Sequence, residues 1–234
     1  MTLRVNIVTL FPDFFAGPLG LSIPARAAAA GLVEYRLVQL RDFAHDRHRT
    51  TDDYPFGGGA GMVMKPGPFF EAVESLAPPG RDRPEGAILL MSARGRRFTH
   101  RDAVRLSLQP QITLLCGHYK DVDQRVAEGV ATEEICLGDF IVSGGEIPAL
   151  AVVDAVVRLL PGAISDHDSA ATDSFYDGAL SPPSYTRPAE YRGMAVPPVL
   201  LSGDHARIAA WQRAEAERLT RERRPELMEY PETS

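Results

Sequence analysis

Gln111–Arg158 reads QITLLCGHYKDVDQRVAEGVATEEICLGDFIVSGGEIPALAVVDAVVR, and this stretch decides the fold. Ile112–Cys116 and Ile135–Leu137 are short apolar runs, typical of buried strands, and each is followed by a glycine. Glu146–Leu160 then carries apolar residues at helical spacing, which predicts a helix. A third apolar run, Ala87–Met91, also leads into a glycine-containing turn. One such glycine alone would indicate only a tight turn, but three together predict a pocket walled by closely approaching backbone.

The chain before this stretch predicts an α/β domain with a parallel sheet. Val5–Leu10 is nearly all apolar, as in a parallel strand that is covered on both faces. An alanine-rich helix over Pro24–Gly31 and an alternating strand over Val33–Gln39 follow it. Strand, helix and strand of these lengths form a βαβ unit. Two further helices are predicted, over Pro66–Leu76 and from a Thr99 cap to Leu108.

Two domains are expected, joined by a linker. The first domain covers residues 1–162 and ends at the Pro161–Gly162 pair. Residues 163–177 contain a run of small, polar and acidic residues, which is typical of a flexible linker. The second domain covers residues 178–234 and contains a long helix, His205–Arg224, capped by Asp204.

Composition is that of a soluble globular protein of 234 residues, with 44% hydrophobic and 24% charged residues. No apolar run approaches the ~20 residues of a membrane span, and Met1–Arg4 leads into a strand, so a cytoplasmic location without membrane contact is expected. Cys116 and Cys136 fit no zinc spacing and are expected to be inert core thiols. A net charge of −6 argues against a protein that binds nucleic acid over its whole surface, so any nucleic-acid contact would depend on local basic patches.

Three arginine-rich segments and one glycine-rich segment are candidate contact surfaces. Arg41–Asp53 and the His205–Arg224 helix each combine arginine with acidic residues, so each is either a solvated surface or a phosphate or RNA contact. Arg94–Arg97 is predicted to form a small basic patch. Gly57–Gly61 lacks the spacing of a phosphate-binding P-loop, and the chain has no dinucleotide-binding glycine motif. A mobile loop that folds over substrate is the better prediction for it.

Motifs along nearly the whole chain resemble one known family. They are Val8–Pro12, Gly57–Met62, Cys116–Tyr119, Gly138–Ala149, Asp173–Phe175, Tyr185–Pro188, Val196–Gly203 and Arg223–Leu227. In these segments and in their order, the chain is similar to the bacterial tRNA (guanine-N1)-methyltransferase family, the TrmD proteins of the SPOUT class. Many members of that family have Glu-Gly where this chain has Lys120–Asp121, and proline where it has Ala93.

The resemblance implies an architecture and a reaction. The parallel sheet would contain a deep trefoil knot, followed by a small, mainly helical C-terminal domain, and two copies would form a homodimer with shared active sites. The enzyme would transfer a methyl group from S-adenosyl-L-methionine to N1 of guanosine at position 37 of tRNA, beside the anticodon. Magnesium is left open as an additional cofactor, and no metal ligand is assigned.

The resemblance also implies which residues form the site. Asp173 would be the general base that takes the N1 proton, because guanine N1 is protonated at neutral pH and is then a poor nucleophile. Arg158 would stabilise the negative charge that develops towards O6. The implied donor-binding residues are Leu90, Ser92, Gly117, Tyr119, Leu137, Gly138, Phe140, Val142, Gly144, Gly145 and Pro148. The implied substrate-binding residues are Gly59, Arg187, Ser202 and Arg213.

Two rival functions remain open from the sequence. One is a knotted RNA methyltransferase that acts on the ribose 2′-OH, for which a carboxylate such as Asp173 has no evident role. The other is a non-catalytic RNA-binding protein that has kept a nucleotide pocket. Nucleoside analysis of treated tRNA separates the first from base methylation, and donor binding without methyl transfer would indicate the second.

Overall fold

The computed structural model describes residues 2–164 and 172–229, and the chain divides into two compact units. Unit 1 is Met1–Ser165 and unit 2 is Asp166–Ser234. The strands of unit 1 are β1 Leu3–Thr9, β2 Val33–Gln39, β3 Asp52–Asp53, β4 Val63–Met64, β5 Ala87–Arg97, β6 Gln111–Cys116, β7 Asp121–Val122 and β8 Glu133–Cys136. Its helices are α1 Ala16–Leu19, α2 Ser22–Ala29, α3 Pro66–Glu74, α4 His100–Ser107, α5 Gln124–Gly129 and α6 Glu146–Val157.

The centre of unit 1 is a five-stranded sheet in the order β2-β1-β6-β5-β8, with every neighbouring pair parallel. Every residue of β6, the middle strand, is buried, as expected for a parallel strand that is covered on both faces. The predicted α/β class with a parallel sheet is therefore confirmed. The predicted strand over Val33–Gln39 has the same bounds as β2.

Side chains alternate along each strand between two hydrophobic cores, one on each face of the sheet. Leu114 belongs to the core that includes residues of α2, α4 and α6, such as Val152. Leu115 belongs to the core that includes residues of α3 and α5, such as Phe69 and Val126. A single-residue slip of β6 would exchange its side chains between these cores, so the packing fixes its register.

Strand β5 does not end at Met91, as the sequence suggested, but continues to Arg97. Its pairing with β8 shifts register between Met91 and Arg96, which marks a bulge. Gly95 lies inside this extension, where a Cβ atom would come within 2.3 Å of the Ile135 amide nitrogen. The glycine therefore permits close packing against β8, and the predicted turn at this position is wrong.

A small three-stranded sheet, β3-β4-β7, joins two loops that are far apart in sequence. Strand β4 pairs antiparallel with β3 and parallel with β7. Because β4 follows the glycine-rich segment and β7 follows β6, the sheet connects that segment to the carboxyl end of the central sheet.

Unit 2 contains a short hairpin, β9 Glu190–Tyr191 and β10 Met194–Ala195, and the helices α7 His205–Arg223 and α8 Glu226–Glu229. The predicted Asp204 cap is confirmed, because its carboxylate accepts from the amides of Ala206 and Arg207, both at 3.1 Å. Residues 165–171, the middle of the predicted linker, lie outside the described residues. No helix in the described ranges is long and apolar enough to cross a membrane.

Candidate functional site

A cleft of about 160 Å3 opens at the carboxyl ends of the three neighbouring strands β6, β5 and β8. Ligands of open α/β sheets bind in such crevices. Three segments form its walls: the β5 extension, the loop after β6, and the loop between β8 and α6. The lining residues are Met91, Ser92, Ala93, Arg94, Gly117, His118, Tyr119, Lys120, Asp121, Val122, Ile135, Cys136, Leu137, Gly138, Phe140, Ile141, Val142, Ser143, Gly144, Gly145 and Pro148.

The predicted donor-binding residues meet in this cleft, with one exception. All except Leu90 line it. The Leu90 side chain is buried in the core that also contains Leu115, one residue before the strand reaches the cleft at Met91. The glycine-followed strands β6 and β8 are thus brought to one site, together with the extension of β5.

The loop before α6 lies directly on the end of β6. The Gly145 amide donates to the Gly117 carbonyl at 2.7 Å, and His118 and Gly144 form an isolated antiparallel bridge. A Cβ atom on Gly145 would lie 2.7 Å from Cys116 Cα and 2.8 Å from the Gly117 nitrogen. Glycine is therefore needed at position 145 for this approach, and the cleft wall here is main chain.

Beneath Gly144 lies a buried carboxylate that the sequence analysis did not single out. Glu146, in the first turn of α6, is 5% exposed and accepts a 2.7 Å hydrogen bond from the Thr9 hydroxyl at the end of β1. Its second oxygen lies 4.0 Å from His118 Nδ1. The sequence offered only one signal for it, an acidic residue in a helix's first turn, where the helix dipole favours a carboxylate.

The two cysteines differ in their surroundings. Cys116 is fully buried, and burial, with a smaller contribution from the charge of Glu146, raises the pKa of its thiol well above the usual value. Cys136, at the end of β8, is half-buried and lines the cleft. The expectation that both are inert core residues therefore fails for Cys136, because β8 ends as it reaches the cleft.

The cleft is lined by exposed aromatic rings and by the main chain of glycine residues. Tyr119 and Phe140 are 45% and 59% exposed, and Tyr119 adopts a positive φ of 61°. A Cβ atom on Gly117 would lie 2.6 Å from a Val122 methyl group. Such a cleft offers apolar faces to a flat ring and main-chain hydrogen-bonding groups to its edges.

The arginine-rich β5 extension is neutralised within unit 1. Arg94 pairs with Asp121 at 3.3 Å and Arg97 with Asp139 at 3.1 Å. Arg96 donates two hydrogen bonds to Asp102 and one to Glu133. This segment is therefore a network of ion pairs that fixes one wall of the cleft, and the interpretation of it as a basic patch is not supported.

The Arg41–Asp53 segment is also largely organised by its own acidic residues. Asp46 accepts from the amides of His48 and Thr50 and from the Thr50 hydroxyl. These hydrogen bonds lower the pKa of the Asp46 carboxyl, the backbone bond from Thr50 most strongly. Arg49 pairs with Asp42 at 3.1 Å. Of the two readings of this loop, the self-neutralised surface fits these contacts better.

The predicted catalytic residues lie outside the cleft lining. Arg158 is the C-cap of α6, and its amide donates to the Asp154 carbonyl. Asp173 belongs to unit 2, where its carbonyl accepts from the Tyr176 amide in a turn. In the same turn the Ser174 and Ser181 hydroxyls share a hydrogen bond, and the Ser181 amide donates to the Ser174 hydroxyl. This turn is tied to α7, because Leu180 donates its amide to the Thr220 hydroxyl.

The predicted substrate-binding residues are distributed over both units. Gly59 lies in the glycine-rich loop of unit 1, with a φ of 110°. Arg187, Ser202 and Arg213 are exposed residues of unit 2. In α7, Arg218 pairs with Glu215 and Glu222, and Arg221 with Glu217. Within the described part of the chain, the arginines of α7 without such a pair are Arg207, Arg213 and Arg223.

Comparisons with known proteins identify the same family as the sequence motifs. The family model described as "tRNA (Guanine-1)-methyltransferase TrmD" matches residues 3–230. The chain is 47% identical over 232 residues to a tRNA (guanine-N(1)-)-methyltransferase of Geobacillus kaustophilus, covering 99% of this chain and 94% of the relative. It is 52% identical over 230 residues to the protein of that name from Gloeobacter violaceus, covering 97% and 98%. The Mesorhizobium japonicum protein of the same name is 49% identical over 228 residues, covering 97% of each.

Proposed function

The chain belongs to the tRNA (guanine-1)-methyltransferase family, and on that premise we propose that it methylates N1 of guanosine at position 37 of tRNA. The methyl donor is S-adenosyl-L-methionine. The observation that carries the proposal is the cleft at Gly117, Gly144 and Gly145, which brings together two of the family's motifs, Cys116–Tyr119 and Gly138–Ala149. Among the described residues, no group of three or more His, Cys, Asp or Glu side chains could hold a metal ion. A magnesium requirement is tested by measuring methyl transfer with and without the ion.

The cleft suits the proposed donor. S-adenosylmethionine supplies an electrophilic methyl group on a sulfonium centre. The main chain at Gly138, Gly144 and Gly145 would hold its polar edges, and Tyr119 and Phe140 offer faces for an adenine ring. A Cβ atom at Gly145 would collide with the backbone of Cys116 and Gly117 at 2.7–2.8 Å, and one at Gly117 or Gly144 would force neighbouring side chains to move.

Asp173 and Arg158 are the proposed catalytic pair. Asp173 would accept the proton of guanine N1, which frees the nitrogen lone pair for attack on the methyl group. Loss of that proton moves negative charge towards O6, where the Arg158 guanidinium would stabilise it. The chain's remaining task is to hold N1 and the methyl group in line, and this positioning supplies much of the acceleration.

The position of Arg158 supports a site shared between two copies. Helix α6 starts at the cleft with Gly145 as its N-cap and runs for 12 residues to Arg158 at its far end. Twelve helical residues span roughly 18 Å, which is farther than an arginine side chain reaches back. An Arg158 that acts on the guanine therefore requires a second protomer, so we include a homodimer with shared active sites in the proposal.

Exposed apolar residues on unit 1 also support a homodimer. Phe11 and Phe14 are each 43% exposed, and Ile141 and Ile147 are more exposed still. The Phe11 ring packs edge-on against His118, which lines the cleft, at 5.1 Å. An apolar surface at the rim of a functional cleft is typical of a protein interface. The proposal also includes the family's trefoil knot and a cytoplasmic location, where tRNA is modified.

Unit 2 is the proposed tRNA-binding domain. Arg187, Ser202 and Arg213 are exposed, and Arg213 shares α7 with Arg207 and Arg223, so the helix keeps cations for phosphate contacts. The Ser202 hydroxyl donates to the Val199 carbonyl and accepts from the Asp204 amide, which fixes the start of α7. The proposed domains are residues 1–162 and 178–234, joined by a linker over 163–177.

Transfer of labelled methyl groups to unmodified tRNA tests the function. We expect incorporation into tRNA with guanosine at position 37 and none when adenosine replaces it. Digestion to nucleosides should yield 1-methylguanosine. Recovery of a 2′-O-methylated nucleoside would favour ribose methylation, and donor binding without any methyl transfer would favour a non-catalytic RNA-binding protein.

A further inference from the structure

We propose that Lys120 binds a phosphate group of the tRNA at the rim of the donor cleft, together with amide groups of the glycine loop Gly57–Gly61. The identity of the ligand as tRNA rests on the proposed function. The location rests on the contacts, charges and hydrogen bonds of these residues in unit 1.

Lysine is rare in this chain, whose two lysines are Lys65 and Lys120. Lys120 lies in the loop after β6 and lines the cleft. Its amide donates to the Met62 carbonyl at 3.1 Å, directly before β4. Strands β4 and β7 then pair in parallel, with Met64 opposite Val122. Backbone pairing therefore fixes Lys120 next to the end of the glycine loop.

The Lys120 side chain extends along the glycine loop. A Cβ atom on Gly61 would lie 3.2, 3.5 and 3.8 Å from the Lys120 Cβ, Cδ and Cγ atoms. A Cβ atom on Gly59 would lie 3.4 Å from the Lys120 ammonium. The aliphatic part of the side chain thus packs on Gly61, and its charge is held next to Gly59, one of the residues expected to bind substrate.

The Lys120 ammonium is not engaged in an ion pair among the described residues, whereas the neighbouring cations are. Arg94, the other cation lining the cleft, is paired with Asp121 at 3.3 Å. Lys65 lies 3.8 Å from an Asp53 oxygen. Over residues 2–164 and 172–229, Lys120 forms no ion pair with a carboxylate. An exposed ammonium in this state can accept an incoming anion without first breaking a salt bridge.

The glycine loop offers hydrogen-bond donors beside this ammonium. Gly59 and Gly61 adopt positive φ angles of 110° and 91°. Among the described residues, the amides of Gly59, Ala60 and Gly61 donate no hydrogen bond, and all three residues are exposed. Main-chain N–H groups next to a cation form the usual surroundings of a bound phosphate oxygen.

The anion could in principle be a tRNA phosphate or the carboxylate of the methyl donor. The ammonium lies against Gly59, which does not line the cleft, so the charge is directed towards the loop rather than the cleft interior. This placement favours the phosphate. The net charge of the chain is −6, so its overall charge repels a polyanion such as tRNA. Binding of tRNA therefore depends on local cations, and Lys120 is one of them.

Replacement of the two lysines by methionine provides a matched test, because methionine keeps the aliphatic packing and removes the charge. We expect Lys120→Met to weaken tRNA binding by roughly 3- to 10-fold and to lower the salt dependence by about one phosphate contact. Lys65→Met should have little effect on tRNA binding, and donor affinity should be unchanged in both variants. Lys120→Arg should retain most of the tRNA affinity.

Chemical acetylation of the lysine amines tests the contact between Lys120 and tRNA without relying on enzyme activity. Peptide mass spectrometry resolves Lys65 from Lys120, and we expect tRNA to slow acetylation of Lys120 while the donor alone does not. Protection by the donor alone, with weaker donor binding in Lys120→Met, would instead identify a carboxylate contact and overturn the inference. Unchanged tRNA affinity in Lys120→Met would also overturn it. If the wild-type protein methylates no tRNA, the proposed function itself fails, so the two failures are distinct.

Discussion

At the scale of single residues, the cleft depends on positions where a side chain has no room. A Cβ atom on Gly144 would lie 2.3 Å from a Glu146 carboxylate oxygen and 2.5 Å from His118 Nδ1. The motif over Gly138–Ala149 predicted that Gly144 binds the donor, and in the structure Gly144 lines the cleft. The reason could not be predicted, because Glu146 is held by Thr9, which lies 137 positions earlier in the chain.

Gly144→Ala should weaken donor binding by at least about 10-fold, because Glu146 and His118 must both shift to admit the methyl group. Calorimetric titration with S-adenosylmethionine measures this loss. Gly17→Ala is the matched control, since a Cβ atom at Gly17 meets nothing within 4 Å. Equal donor affinity in the two variants would remove Gly144 from the donor site.

The two cysteines provide a second residue-level prediction. Cys136 lines the cleft, whereas Cys116 is buried with a raised pKa and therefore has little reactive thiolate. Iodoacetamide should label Cys136 faster than Cys116, and a saturating donor should slow labelling of Cys136. Labelling followed by peptide mass spectrometry checks both points. Labelling of Cys136 that is indifferent to the donor would argue that the donor binds elsewhere.

At the scale of secondary-structure elements, the sequence predicted the strands and helices that local patterns determine. It missed the elements that depend on contacts between distant parts of the chain. Buried strands such as β6 follow from apolar runs, and α7 follows from its Asp204 cap and helical pattern. The extension of β5 could not be predicted, because its polar, glycine-containing sequence is typical of a turn. Arg96 holds it in place by pairing with Asp102 of α4 and Glu133 of β8.

The Arg96–Asp102 pair predicts a pH-dependent stability. Burial alone would raise the Asp102 pKa, but hydrogen bonds from Arg96 and Thr99 outweigh it and lower the pKa from 3.8 to about 2. Because the folded-state value lies below the unfolded one, the stabilisation is present above pH ~4 and is lost as the pH falls towards ~2. Asp102→Asn should therefore lower the free energy of unfolding at pH 7 by roughly 1–2 kcal/mol.

Urea denaturation of the wild type and Asp102→Asn at a series of pH values measures this difference, which should shrink as the pH approaches ~2. Asp139→Asn serves as the control. Asp139 pairs with Arg97 in the same extension, but its side chain is 91% exposed, so its replacement should have little effect. A difference between wild type and Asp102→Asn that is constant over the whole pH range would contradict this explanation.

At the scale of the whole molecule, we propose that the enzyme is complete only as a pair of chains. The proposed donor cleft lies at one end of α6 and Arg158 at the other, and Asp173 belongs to a different unit from the cleft. Motif resemblance named all of these residues, but no local pattern in one chain indicates that they act across two copies. The family resemblance implied a shared site, and the length of α6 and the exposed apolar surface beside the cleft support that proposal.

Mixing two inactive variants tests the shared site most directly. Asp173→Ala should bind donor but lose nearly all methyl transfer to guanosine 37. Gly144→Val, whose side chain is larger than that of alanine at a position without room for a Cβ atom, should abolish donor binding. When equal amounts are refolded together, half of the dimers should be mixed, each with one site that has an intact cleft and an intact base. We expect the mixture to recover roughly a quarter of wild-type methyl transfer. A mixture that stays inactive, although mass measurement confirms that subunits have exchanged, would contradict a site built from two chains.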